Sequence, residues 1–169
     1  EIDLSAKSAE KISDVTSAFS AYVYDNKAFI LTDTKVLRLD LASRQQEELF
    51  GQSGGQDIGV FLGNVYLLSG DNINKYVPVE SGYSGPSDYF SESSPFGDRS
   101  RFAIDGLIWV TSGDKVLKFN RGEKEDFEIS GLSESVGKLG VIYTTSSLDN
   151  LYVIDATNSA LLVIGKDGV

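Results

Sequence analysis

Residues 63–73 read Gly63-Asn64-Val65-Tyr66-Leu67-Leu68-Ser69-Gly70-Asp71-Asn72-Ile73. A turn pair leads into a short run of β-branched and aromatic side chains, and a second turn ends it. Such side chains fit a pleated, half-buried surface. The arrangement recurs as Asp25-Asn26 before Ala28-Phe29-Ile30-Leu31, Asp105-Gly106 before Ile108-Trp109-Val110, and Asp149-Asn150 before Leu151-Tyr152-Val153. The aromatics at 29, 66, 109 and 152 are 37, 43 and 43 residues apart. Two-residue hairpin loops need positive φ, which Gly, Asn and Asp tolerate best. Ahead of the turns lie further apolar stretches: Ala21-Tyr22-Val23, Ile58-Gly59-Val60-Phe61, Phe102-Ala103-Ile104 and Leu139-Gly140-Val141-Ile142-Tyr143. Each unit therefore holds a hairpin.

A third strand follows the second turn: Val36-Leu37-Arg38-Leu39, Ile73-Asn74-Lys75-Tyr76-Val77, Val116-Leu117-Lys118-Phe119 and Leu161-Leu162-Val163-Ile164. In the first three units it starts 7 residues after the aromatic, at 36, 73 and 116. A weaker fourth strand is read at Glu47–Phe50, Asp88–Phe90 and Asp126–Ile129, and its missing copy at the other end of the chain, at Glu1–Leu4. Helix signals are scarce. Four strands repeated at a mean period of 41 predict an all-β fold of β-propeller blades, because a four-stranded blade buries both faces only against neighbours. The chain is one domain, 1–169, with repeats at about 1–41, 47–79, 88–120 and 126–164. It forms either a closed four-bladed ring, with Glu1–Leu4 paired to Leu161–Ile164, or an arc of a larger propeller. An arc has open edges that favour pairing with another chain, and two arcs would make a homodimer. The opening Glu1-Ile2-Asp3-Leu4, without Met, leads us to expect a piece of a longer array.

The run Val153-Ile154-Asp155-Ala156-Thr157-Asn158-Ser159-Ala160-Leu161-Leu162-Val163-Ile164 resembles the NHL-type repeat, which places Asp and Asn in the turn between its middle strands. Asp155 and Asn158 match; Ser159-Ala160 stands where that motif has His-Arg. The resemblance implies a propeller of the six-bladed NHL type. The chain is also similar to C-terminal repeat regions of uncharacterised bacterial membrane-anchored proteins, some joined to a PP2C-like phosphatase domain.

Composition narrows the chemistry. With 15 Lys and Arg against 25 Asp and Glu, the net charge is −10, which argues against a nucleic-acid partner, since phosphate neutralisation needs clustered cations. There is no His and no Cys, so His-based dyads, thiolate nucleophiles and Cys-based metal sites are excluded. No apolar run approaches the roughly 18 residues of a membrane-spanning helix, so no membrane insertion is expected of this segment. The compartment is open, with an extracytoplasmic one slightly favoured.

Glu80 to Arg101 is the longest irregular stretch, and the overlapping segment Val79–Asp98 carries four acidic residues and no Lys or Arg. Its Tyr83, Asp88, Tyr89, Phe90 and Phe96 are the candidate ligand or partner loop, because Tyr and Phe among Ser and Gly make an adaptable binding surface; the alternative is an outer strand at Tyr89-Phe90 with slack around it. Asp155 and Asn158 are the candidate metal ligands, against a role in capping their own turn. No catalytic residue is assigned. Trp109 shares the repeat position of Phe29, Tyr66 and Tyr152, so its expected role is packing between blades. The expected function is a non-catalytic interaction or ligand-binding module within a larger protein, taking a protein or glycan ligand. The alternative is a metal-assisted hydrolase or lyase using Asp, Glu or Asn near the axis. No cofactor is expected beyond a calcium ion, structural or catalytic.

Overall fold

The computed structural model describes residues 14–92, 95–97 and 99–169, and the backbone of 2–3 and 8–9. The described residues are all-β, with no helix. Blade 1 is built from β3 (Ala18–Tyr24), β4 (Lys27–Thr32), β5 (Lys35–Asp40) and β6 (Gln46–Gly51). Blade 2 is β7 (Gly55–Phe61), β8 (Asn64–Ser69), β9 (Asn72–Val79) and β10 (Gly82–Asp88). Blade 3 is β11 (Phe102–Ile104), β12 (Ile108–Ser112), β13 (Lys115–Asn120) and β14 (Glu123–Glu125). Blade 4 is three-stranded: β15 (Leu139–Tyr143), β16 (Asn150–Asp155) and β17 (Ala160–Gly165). Each sheet is antiparallel with its strands in chain order. The first strands of successive blades lie side by side, which makes them the inner strands of a four-blade β-propeller.

The expected fourth copy of the outer strand is not at the edge of blade 4. Ile2–Asp3 (β1) pairs instead with Ser8–Ala9 (β2), while Glu1 and Leu4 lie outside the described residues. Two outer strands also shift. In blade 2 the strand is Gly82–Asp88, not Asp88–Phe90, and in blade 3 it is Glu123–Glu125, not Asp126–Ile129. The Asp25-Asn26 turn has φ of 48° and 56°, as its sequence predicts. In blade 2 the turn pair is Leu62-Gly63, one residue early, and in blade 4 a six-residue connection, 144–149, replaces the expected two-residue turn.

The repeated aromatic explains why the blades stack. Phe29 packs with the Ile58, Val60, Val65 and Leu67 side of blade 2. Tyr66 packs with the Phe102, Ile104, Ile108 and Val110 side of blade 3. Trp109, fully buried, packs with the Leu151, Val153 and Ile164 side of blade 4. Blades 1 to 3 thus present the aromatic on one face, and blades 2 to 4 receive the preceding blade on the other. Trp109 donates its indole N–H to Asp105 Oδ1 at 3.2 Å, and its ring meets Phe127 edge-on at 5.1 Å. Gly59 lets inner strands approach: a Cβ there would sit 2.9 Å from the Phe102 ring. The exposed ion pairs Lys35–Glu48 and Arg38–Glu47 contribute at most about 1 kcal/mol each, so apolar stacking holds the fold.

Candidate functional site at the propeller axis

The inner strands of all four blades converge on one cavity of about 310 Å³. Blade 1 supplies Phe19, Ser20 and Tyr22; blade 2, Asp57; the start of blade 3, Arg101; blade 4, Tyr143. Alternation along β3 and β15 sets these side chains toward the axis or toward a neighbour.

Asp57 is the polar anchor. It is buried, and Oδ1 accepts from Ser20 Oγ at 2.6 Å and from its neighbour Ile58 N at 3.0 Å. Its Oδ2 accepts from Phe102 N at 3.0 Å. One carboxylate therefore ties blades 1, 2 and 3 together at the axis. Burial pushes its pKa above the ordinary aspartate value, against the pull of these three hydrogen bonds and of the Arg101 charge. Thr111, fully buried, joins blades 3 and 4: its hydroxyl donates to Gly140 O at 2.9 Å and accepts from Arg101 N at 3.0 Å. Around this network the rings are open to solvent, Phe19 being 48% and Tyr143 53% exposed. Burial, and then the neighbouring Tyr143, push the Tyr22 phenol up. The cavity thus offers aromatic surfaces beside one guanidinium on a rigid polar floor, the makings of a small ligand site.

A larger open groove of about 700 Å³ lies at the junction of blades 3 and 4, where Asp114, Asp126, Glu128 and Asp167 surround Lys115 above Phe127. Its charged groups are all exposed.

The candidate loop residues sit elsewhere. Tyr83 is on β10, with its hydroxyl 3.4 Å from Gly63 O, to which it donates, and its ring edge-on to Phe50. Asp88 ends β10, exposed. Tyr89 leans on Tyr66; Phe90 lies buried against Phe119 at 4.1 Å and Phe96 at 5.8 Å. These rings fill the gaps between blades 1 and 2 and between blades 2 and 3. Asp155 organises its turn: Oδ1 accepts from Thr157 N and Asn158 N, each at 3.0 Å, and Oδ2 from Gly137 N at 2.8 Å and Asn158 Nδ2 at 2.9 Å. These bonds, led by that from Gly137, hold its carboxyl below the usual range. Among the described residues no three acidic side chains are grouped to hold a metal ion. Sequence reading did not select the axial residues Phe19, Tyr22, Asp57, Arg101 and Tyr143. The usable signal was register: Tyr22 and Tyr143 stand in the two inner-strand stretches of the end blades.

No protein-family model matches the chain, and no curated protein is similar to it in sequence. Solved structures do resemble it. An auxiliary nutrient-binding protein from Bacteroides thetaiotaomicron matches at 10% identity and TM-score 0.69, over 92% of this chain and 49% of its own. A protein of unknown function from the same organism matches at 20% identity and TM-score 0.57, over 90% and 42%. An extracellular domain, assigned to a one-component system of that organism, matches at 12% identity and TM-score 0.50, over 95% and 24%. The chain spans less than half the length of each. At such identities the likeness concerns the fold, a class of propeller-like chains that includes a binding protein and an extracellular domain.

Proposed function

We propose that the chain is a non-catalytic propeller binding module, part of a larger protein, whose ligand sits in the axial cavity. The observation that carries this reading is the convergence of all four inner strands on a pocket with open Phe19 and Tyr143 rings beside Arg101. Flat apolar surfaces next to a fixed hydrogen-bond donor suit a glycan, whose ring faces stack and whose hydroxyls accept. A nutrient-binding neighbour and an extracellular-domain neighbour support a ligand-binding role outside the cytoplasm. No helix among the described residues is long and apolar enough to cross a membrane. The NHL-type kinship of 153–164 and a phosphatase partner domain belong to this reading as further proposals. The hydrolase or lyase alternative needs several inward carboxylates. Among the described residues lining the cavity, Asp57 is the one carboxylate, and both its oxygens accept hydrogen bonds.

Titration calorimetry with defined malto-, xylo- and chito-oligosaccharides tests the proposal. Binding by the wild type, weakened at least tenfold in Tyr143→Ala and Arg101→Ala with the fold intact by circular dichroism, is the expected result. Sugar binding untouched by both substitutions would remove the axial site.

A further inference from the structure

Arg101 differs from the other cations of this acidic chain. Five half-buried ones, Lys27, Lys35, Arg38, Lys118 and Lys166, each have a carboxylate partner. Another, Lys75, lies over the Tyr66 ring. Among the described residues Arg101 is the one half-buried cation with neither, although acidic residues outnumber basic ones 25 to 15.

Its guanidinium is nevertheless anchored. Nη1 donates to the carbonyl of buried Ser100 at 2.8 Å. Among the described residues no hydrogen bond uses Nε or Nη2. These two form the edge of the guanidinium that presents parallel N–H groups, the geometry that takes a carboxylate in bidentate fashion. Fixing the group in advance lowers the ordering cost of such a contact.

The rest of the axial cavity offers little competition for an anion. Asp57, the one carboxylate on its wall, accepts at Oδ1 from Ser20 and Ile58 and at Oδ2 from Phe102. The Ser20 hydroxyl is committed to that contact, and Thr144 donates to Asn150 O at 2.9 Å. The side-chain groups left to meet a ligand are the Arg101 edge and the phenol hydroxyls of Tyr22 and Tyr143. All of them can donate, and one is a permanent cation.

We propose that the axial ligand carries a carboxylate, the acid group of a uronic-acid glycan, held by the Nε–Nη2 edge of Arg101 while a sugar ring rests on Phe19 or Tyr143. This rests on the ligand reading of the cavity and narrows it from glycans to acidic glycans. A neutral hydroxyl would accept from one of the two donors and leave the charge unmatched.

Titration calorimetry with oligogalacturonate, oligomannuronate and hyaluronan fragments is the test, each compared with the same glycan after reduction of its carboxyls to primary alcohols. At least one acidic form is expected to bind about tenfold or more tightly than its reduced partner, with a preference that shrinks as salt is added. Arg101→Gln keeps a donor and removes the charge, and is expected to bring the two affinities together. Should that variant not fold, Arg101→Lys, which keeps the charge without the paired donors, is expected to narrow the gap. Acidic forms bound no better than reduced ones by the wild type, or a preference that the Arg101 variant leaves whole, overturns the inference while the ligand reading stands. Absence of binding by every sugar, acidic or neutral, overturns both.

Discussion

Two aspartates, both sunk in the fold, have opposite electrostatic consequences. Asp155 accepts four hydrogen bonds that favour its charged form, so its folded pKa lies below the unfolded value of about 3.9. Its stabilising contribution is complete above that value and is lost as pH falls through the folded pKa. Asp57 accepts three bonds, yet desolvation dominates and its folded pKa is raised. Its charged form is disfavoured, so stability drains as pH rises from about 3.9 through the folded pKa. The stability gap between wild type and Asp155→Asn is therefore expected to widen with pH, and that between wild type and Asp57→Asn to move the other way. Urea unfolding of the three proteins between about pH 3 and pH 7 checks both signs. Parallel slopes for the two variants would contradict the assignment.

The strand pairs show how elements were legible and where they drifted. The aromatic strands and the third strands fell where periodicity placed them because one face of each is buried, and a one-residue slip would turn that face to water. The outer strands had no such constraint. Tyr89-Phe90 and Phe127-Ile129 carry the apolar alternation of a strand, but their rings plug gaps between blades, and the pairing strand forms just upstream at Gly82–Asp88 and Glu123–Glu125. The inner strands are spaced by contacts such as Phe102 over Gly59. Gly59→Ala forces that ring or the strand to move and is expected to cost about 1–3 kcal/mol, as overpacking does. A shift of the urea midpoint with an unchanged slope is the corresponding measurement. An unchanged midpoint would mean that the ring yields freely.

Across the whole molecule, stability follows from how many neighbours a blade has. Blades 2 and 3 are covered on both faces, and Val65–Leu68 and Ile108–Val110 are almost wholly buried. Among the described residues blade 4 is covered on one face, and its last strand is exposed at Leu161 and Val163. In a stack of repeats each unit draws its stability from its own sheet and its nearest contacts. Amide exchange of the chain is accordingly expected to be slowest in β8 and β12 and markedly faster in β17. Uniform protection across the four blades would contradict this ordering.

The chain's own sequence determined the repeat, the blade and the packing role of Phe29, Tyr66 and Trp109, because burial of one sheet face imposes a local period that residue order must obey. It also carried the turn-forming pattern of Asp155 and Asn158, whose partners are mostly two or three residues away. The axial cavity was decided only in three dimensions: Ser20, Asp57 and Phe102 meet across separations of 37 and 45 residues. Likewise Tyr152 carries the same pattern as its three counterparts, and only the stacking shows that, among the described residues, no blade packs on its face. Contacts between repeats depend on how sheets are placed about the axis, and that placement leaves no period in the chain for a reader to find.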